Sequence, residues 1–252
     1  MNYSQVCVKL LILIIFLFGS VSWAEEGARR TPIVKAVEKI GASVVNINTE
    51  EAVPAVRNPF RDSRNPFFDQ FFKEFFPRLN NNRRSLGSGV IIHPEGYILT
   101  NEHVVAKATS IKVTLIDKRE FDARLVGADI KSDLAVIKIK TKENLPHVDL
   151  GRSDDLMIGE TVIAIGNPFG LQHTVTTGII SALHRSIKGG KNRVYRGFIQ
   201  LDASINPGNS GGPLLNINGS LIGINTAIFK QAEGIGFAIP INKAKRIIND
   251  LI

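Results

Sequence analysis

Short apolar segments, several of which alternate apolar with polar residues, recur along most of the chain. This alternation is typical of half-buried β-strands, and turn signals separate the segments. A first series of predicted strands comprises Ser43–Asn48, Gly87–Ile92, Tyr97–Thr100, Ile111–Leu115, Ala123–Ala128 and Leu134–Ile139. A second series comprises Thr161–Ile165, Val175–Ile180, Phe198–Leu201, Pro213–Leu215, Leu221–Ala227 and Gly236–Ile239. The sequence therefore predicts an all-β protein made of two similar β units.

A short helix is predicted at each end of the strand series. Before the first strand, Thr31 and Pro32 supply a cap and a first-turn proline, and Gly41 supplies a terminating glycine. After Pro240, apolar residues recur at helical spacing up to Leu251, which predicts a final helix packed on the second β unit.

The long segment Glu51–Leu86 departs from the strand pattern. It combines arginines and asparagines with phenylalanine doublets that recur every four residues, at Phe67–Phe68, Phe71–Phe72 and Phe75–Phe76. Loops of this length are usually functional or disordered. The composition is consistent with an amphipathic helix that buries its aromatic face on another surface, and equally with a flexible insertion that packs only locally.

The N-terminal residues 1–24 have the features of a secretory signal peptide. Lys9 precedes the apolar run Leu10–Phe18, and small residues precede a cut after Ala24. A retained membrane anchor is the alternative, but a bilayer span needs about 20 apolar residues. We therefore predict export without stable membrane insertion.

The single cysteine, Cys7, would leave with the signal peptide. The mature chain would then depend on its apolar core rather than on disulfides for stability, which suits a periplasmic protein.

The chain is basic, with a formal net charge of +8, and loss of the signal removes only Lys9 from the charged residues. Such a balance can favour anionic partners, including nucleic acid. The sequence contains no nucleic-acid-binding motif, and an exported protein rarely meets nucleic acid. A solvated basic surface is therefore the preferred interpretation, and we expect no nucleic-acid partner.

The strongest chemical signal is the segment Asn206–Leu214, which reads NPGNSGGPL. Its serine, Ser210, lies among glycines directly ahead of a predicted apolar strand. Glycines allow a tight turn in which the N–H groups of Gly208 and Ser210 point at one spot, where they can stabilise an oxyanion. An ordinary glycine-rich turn has the same composition, so this segment alone leaves both interpretations open.

A serine hydroxyl becomes a good nucleophile only when a neighbouring base takes its proton. Among the five histidines, His103 follows a predicted strand directly and begins an apolar turn that suits the edge of a cleft. The others have less distinctive surroundings: His93, His147, His173 and His184. The base in turn needs a carboxylate that fixes its tautomer, and Asp133 immediately precedes a buried apolar strand.

Three motifs in the order His, Asp, Ser resemble those of the HtrA/Deg serine proteases. They are TNEHVV around His103, SDLAV around Asp133 and GNSGGP around Ser210. Further similarity lies in the stretches GNPFG, VTTGI and GIGFAIP, so the resemblance extends from about Pro32 to the C-terminus. The residue before His103 is Glu102, where relatives commonly have Asn.

The resemblance implies a chymotrypsin-like fold of two six-stranded barrels with short terminal helices. The protease domain would span residues 25–252, with the first barrel at about 43–145 and the second at about 155–240, and no PDZ domain is expected to follow. The implied catalytic triad is His103, Asp133 and Ser210, with an oxyanion hole formed by the backbone of Gly208 and Ser210.

Specificity and regulation are also implied by the resemblance. Ser204, six residues before the nucleophile, would lie at the base of the primary pocket with Ile205 and Ile235, which implies small aliphatic residues such as Val or Ala. The segment Glu51–Leu86 corresponds to a regulatory loop that can reach a neighbouring subunit. The loops expected to order on activation are Pro168–Gln172, Ser204–Asn209 and Phe229–Gly234.

The function implied is an ATP-independent serine endopeptidase that cleaves unfolded or damaged proteins in the periplasm through an acyl-enzyme. Trimers are the usual building block of this family, so a homotrimer is expected. The reaction requires no metal or organic cofactor, and the sequence shows no metal-ligand spacing. The alternative is a latent protease that acts mainly as a holding chaperone for unfolded proteins.

Overall fold

The computed structural model describes residues 29–50, 84–106, 108–167, 173–188, 194–206, 208–228 and 234–251. The predicted signal peptide lies outside the described residues, and so does the aromatic insertion up to residue 83. Within the described ranges, none of the helices has the length and apolar character needed to cross a bilayer.

The first barrel is a closed sheet of six antiparallel strands in the order β1-β2-β3-β6-β5-β4. Side chains that alternate toward the interior form one apolar cluster, which includes Val45, Ile47, Ile91, Ile98 and Ile137. The strands are β1 (Val44–Glu50), β2 (Arg84–His93), β3 (Tyr97–Thr100), β4 (Ser110–Thr114), β5 (Glu120–Asp129) and β6 (Leu134–Ile139).

The second barrel is also closed, with six antiparallel strands in the order β10-β11-β12-β9-β8-β7. Its interior cluster includes Val162, Ile180, Ile199, Leu201 and Leu214. The strands are β7 (Thr161–Gly166), β8 (Thr174–Lys188), β9 (Val194–Leu201), β10 (Pro213–Asn216), β11 (Leu221–Ile228) and β12 (Gly236–Pro240). The predicted double six-stranded barrel is therefore confirmed.

Strand β8 is much longer than the predicted Val175–Ile180, and His184 lies within it rather than beside it. The pairing of β8 with β9 shifts register three times between Ile180 and Ile187. Each irregularity interrupts the alternation of apolar and polar side chains, and His184 itself has a positive φ of 55°. The part of the strand after Ile180 was not predicted because these bulges remove the period of two from the sequence.

Helix α1 (Pro32–Ile40) begins as predicted, since the Thr31 hydroxyl accepts a hydrogen bond from the Val34 N–H at 3.3 Å. The α-helix ends at Ile40, directly before the predicted terminating glycine. Gly41 has an ordinary right-handed φ of −49° and leads into the 3₁₀ turn Gly41–Ser43, which continues directly into β1. A short helix α2 (Glu102–Val105) follows β3.

Helix α3 (Ile241–Leu251) closes the described chain and contacts both barrels. The sequence predicted packing on the second unit alone, but the helix also contacts β5 and β6. A third apolar cluster explains this, because Ile241 and Ala244 belong to a core that joins Leu134 and Val136 of the first barrel to Ile239 of the second. This shared core holds the two barrels in one orientation, with the predicted site residues at their junction.

Candidate active site

His103 and Asp133 form a buried pair at the edge of the first barrel. His103 lies on α2 just after β3, and Asp133 lies just before β6, which pairs with β3. The imidazole Nδ1 lies 2.8 Å from each carboxylate oxygen, and the His103 backbone N–H donates to Oδ1 at 3.1 Å. The two side chains are 4% and 0% exposed. Because Nδ1 faces a carboxylate, it carries the ring proton, and Nε2 is the acceptor of the ring.

Asp133 is held in place from both barrels. Its φ of +56° lies in the left-handed region, which Asp and Asn tolerate better than most residues. The Asn101 side-chain amide donates to its backbone carbonyl at 3.0 Å. From the second barrel, the Thr226 hydroxyl donates to Oδ2 at 2.7 Å. The buried carboxylate thus accepts hydrogen bonds from three donors, the ring and backbone N–H groups of His103 and the Thr226 hydroxyl.

Ser210 lies in the turn directly before β10 of the second barrel and is fully buried. Its hydroxyl donates to the backbone carbonyl of Thr226 at 3.3 Å. Thr226 thus contacts Asp133 through its side chain and Ser210 through its backbone. The structure therefore brings His103, Asp133 and Ser210 together around one residue of β11.

The turn around Ser210 depends on glycine at two positions. Gly208 has a φ of +104°, and Gly211 has a φ of +84°. A Cβ atom on Gly211 would lie 2.2 Å from the Ser88 carbonyl oxygen and 2.3 Å from the Thr100 hydroxyl. Within the described chain, the N–H groups of Gly208 and Ser210 donate to no protein acceptor. These N–H groups are consequently available to bind an oxygen atom of a ligand.

Lys243 on α3 interacts with the charges of two carboxylates of the first barrel, those of Asp129 and Asp133. Burial lowers the pKa of Lys243, while the negative charges of Asp129 and Asp133 oppose that effect. The ammonium group and the Asp133 carboxylate therefore interact electrostatically across the boundary between the helix and β6.

The three predicted pocket residues have different surroundings. Ser204 is exposed, and its carbonyl accepts from the Thr176 hydroxyl at 2.9 Å. Ile205 is only 2% exposed and packs in the interior of the second barrel. Ile235 is half-buried against the cluster shared by both barrels. The primary pocket formed by these residues stays a prediction.

Three other described histidines have contacts elsewhere, and His184 is exposed on β8. His93 and Tyr97 form an edge-to-face ring contact, with centroids 5.7 Å apart. His147 Nδ1 lies 3.3 Å from the Leu145 carbonyl. His173 Nε2 lies 3.3 Å from the Val44 carbonyl, and burial lowers the pKa of His173. None of these contacts involves Ser210 or Asp133.

Sequence reasoning missed Thr226, although one signal was available. The predicted strand Leu221–Ala227 is apolar except for Asn225 and Thr226, both of which are fully buried in the structure. A buried polar residue inside an apolar strand requires a hydrogen-bond partner, and the partner of Thr226 is Asp133.

Replacing Thr226 with valine is expected to lower kcat/KM by about 10- to 100-fold, because hydrogen bonds to charged groups contribute about 1.5–3 kcal/mol. Valine has a similar shape and leaves the backbone carbonyl that contacts Ser210 in place. Peptide hydrolysis and thermal unfolding would be measured beside Thr114→Val, which removes a buried hydroxyl from β4. Equal activity in the two variants would contradict a positioning role for Thr226.

The comparisons with known proteins agree with this geometry. The trypsin-like peptidase domain family matches residues 87–224 of the chain. A "Probable periplasmic serine endoprotease DegP-like" of Hahella chejuensis is 43% identical over 258 residues, which cover 98% of this chain and 54% of that protein. A protein of the same description from Halomonas elongata is 46% identical over 232 residues, covering 85% and 48%.

A solved structure, "HtrA-type protease AlgW with tripeptide", superposes with a TM-score of 0.70 at 44% sequence identity. The match covers 87% of this chain and 63% of that chain. The chain thus spans about half the length of the curated relatives described above.

Proposed function

Because the chain belongs to the trypsin-like peptidase family, in its HtrA/Deg group, we propose that it is an ATP-independent endopeptidase of unfolded or damaged periplasmic proteins. The observation that carries this proposal is the buried His103–Asp133 pair, joined to Ser210 through Thr226. The proposed periplasmic location rests on the relatives, since two of them are described as periplasmic. The predicted signal peptide is consistent with that location.

The proposed reaction begins when the Ser210 hydroxyl turns from the Thr226 carbonyl to His103. Its oxygen attacks the peptide carbonyl carbon while Nε2 of His103 takes the hydroxyl proton. Asp133 keeps its hydrogen bond to Nδ1–H and stabilises the imidazolium ion. The N–H groups of Gly208 and Ser210 bind the carbonyl oxygen as it becomes an anion.

Collapse of the tetrahedral intermediate completes acylation and releases the first product. His103 returns the proton to the leaving amine, the C–N bond breaks, and an acyl-enzyme forms on Ser210. Water then attacks the ester carbonyl carbon while Nε2 of His103 takes a water proton. The C–O bond to Ser210 breaks, His103 returns the proton to the Ser210 oxygen, and the second product leaves with a free carboxylate. Each proton is held by a side chain of the chain itself, so the cycle consumes neither ATP nor a cofactor.

The substrate class follows from what a cleft between two barrels can accept. Endopeptidase cleavage requires an extended segment of backbone, and a folded domain exposes such a segment only after local unfolding. Ser204 carries no negative charge, so the proposed pocket lacks a partner for Lys or Arg side chains. We therefore expect cleavage after small aliphatic residues such as Val or Ala.

A homotrimer is the proposed assembly. Met157 and Ile158 form an exposed apolar pair, 66% and 68% exposed, on the turn before β7. Large exposed apolar side chains often mark protein contacts. Sedimentation velocity of the protein is expected to give a trimer, and a Met157→Glu, Ile158→Glu double variant is expected to shift it toward monomer. Monomeric wild-type protein at micromolar concentration would contradict this assembly.

The test of the proposed function is degradation of unfolded casein by the purified protein beside its Ser210→Ala variant, with cleavage sites identified by mass spectrometry. Cleavage after Val or Ala that is absent from the variant supports the peptidase and its pocket together. A holding chaperone is the second candidate. A folded wild-type protein that suppresses casein aggregation without cleaving casein would favour it.

A further inference from the structure

Ser88 lies on β2, where the first barrel meets the turn that carries the nucleophile, and it is fully buried. Its backbone N–H donates to the Ser210 carbonyl at 2.9 Å, and its own carbonyl accepts from the Thr100 hydroxyl at 2.7 Å. Its side-chain hydroxyl donates to the Gly208 carbonyl. The same oxygen accepts from the Asn167 N–H at 2.8 Å.

Gly208 and Ser210 are the two residues whose N–H groups are proposed to bind the oxyanion. Ser88 holds the carbonyl of each of them, one through its hydroxyl and the other through its backbone. Each held carbonyl lies in one planar peptide unit, the first linking Gly208 to Asn209 and the second linking Ser210 to Gly211. The Ser210 N–H belongs to the single peptide unit between these two held units, and the Gly208 N–H belongs to the unit directly before the first.

The direction of the Ser88 hydroxyl is itself determined by its neighbours. Asn46 on β1 is the cross-strand partner of Ser88, and its side-chain amide donates to the Asn167 carbonyl at 2.8 Å. Asn48 donates to the Asn46 side-chain oxygen at 2.6 Å, which orients that amide. Asn167 is thus held at both its C=O and its N–H, and its N–H occupies one lone pair of the Ser88 oxygen. The single hydroxyl hydrogen is then directed to Gly208.

We propose that Ser88 is a positioning residue for the oxyanion hole, which acts by holding the Gly208 carbonyl through its hydroxyl. Asn46 and Asn167 set the direction of that hydroxyl, so the end of β7 is coupled to the nucleophile turn through the first barrel. The inference rests on the proposed peptidase function. It assigns a role to a residue that touches neither the substrate nor the reacting atoms.

Replacing Ser88 with alanine is expected to lower kcat by about 10- to 100-fold while KM changes by less than about twofold. When an oxyanion donor is misplaced, the transition state is stabilised less, while binding of the ground-state substrate is unchanged. A peptide boronic acid, which forms a tetrahedral adduct with a serine, should bind more weakly by the same factor as the loss in kcat/KM. The corresponding peptide amide, which forms no adduct, should bind equally well to both proteins.

The matched control is Ser43→Ala, which removes another serine hydroxyl that is 1% exposed and has no hydrogen-bond partner in the described chain. Rates are expressed per active site titrated with a fluorophosphonate, so that a loss of folded protein does not lower kcat. Ser43→Ala is expected to retain wild-type kcat. An unchanged kcat in Ser88→Ala, or a loss confined to KM, overturns the proposal.

Two further measurements keep the proposal testable if Ser88→Ala does not fold or if the wild-type protein shows no peptidase activity. Ser88→Cys retains a similar volume with a weaker donor and should show an intermediate kcat, so wild-type kcat in that variant overturns the proposal. Hydrogen exchange at the Asn167 amide should accelerate when the Ser88 hydroxyl is removed, and unchanged exchange also overturns it. An inactive wild-type protein would contradict the proposed function, while the exchange experiment would still test the Ser88 contact.

Discussion

Replacing Ser210 with alanine is expected to lower kcat by about 10⁵- to 10⁶-fold, since a serine peptidase without its nucleophile retains only the contributions of binding and of the oxyanion hole. The variant should fold normally. Ser210 makes its side-chain hydrogen bond to one backbone carbonyl, at 3.3 Å, and alanine is compatible with the backbone conformation, because the positive φ angles of the turn belong to Gly208 and Gly211.

The measurement is single-turnover hydrolysis of a peptide that has Val or Ala directly before the cleaved bond. Covalent labelling with a fluorophosphonate is measured on the same proteins. One label per wild-type chain and none in the variant is the expected result. Ser186→Ala, which replaces an exposed serine of β8, controls for the loss of a hydroxyl as such and should retain full labelling. Labelling of the Ser210→Ala protein at another residue would exclude Ser210 as the nucleophile.

Replacing Asp133 with asparagine is expected to lower kcat by about 10⁴-fold at neutral pH. The amide has nearly the same shape and tolerates the left-handed φ of this position, so the fold should persist. Its NH₂ group donates where the carboxylate accepted, and His103 Nδ1 must then accept. The ring proton moves to Nε2, where it prevents the histidine from taking the Ser210 proton.

The matched control is Asp129→Asn, which removes the same charge from the end of β5, where the carboxylate accepts from the Lys131 N–H at 3.0 Å. It is expected to retain activity within about twofold, because the half-buried Asp129 carboxylate accepts from Lys131 and makes no hydrogen bond to His103 in the described chain. Comparable losses in the two variants would show that net charge rather than the tautomer of His103 governs the rate. Thermal unfolding of both proteins separates loss of fold from loss of chemistry.

Much of the fold was predictable because its strands have a clear alternation. β3 and β6 have the predicted bounds, since each is a short, mostly apolar and mostly buried segment bounded by turn residues. The missed part of β8 shows the limit of that signal. Bulges shift its register, and the sequence from Ser181 to Lys188 therefore lacks a period of two.

Helix α1 ends at Ile40, directly before its predicted terminating glycine, and Gly41 begins the 3₁₀ turn that leads to β1. Helix α3 shows a different limit, because it packs on both barrels and not only on the second. A helical pattern identifies an apolar face, but it does not identify the surface against which that face packs.

The sequence alone determined which residues carry distinctive chemistry, because a serine among glycines, a histidine after a strand and an aspartate before a buried strand are local patterns. Only the tertiary structure decided how these residues meet. Thr226 lies 93 positions from Asp133 and Ser88 lies 120 positions from Gly208, so no local pattern connects either pair. Hydrogen bonds act over about 3 Å, and only the packing of one barrel against the other brings such distant donors and acceptors within that range.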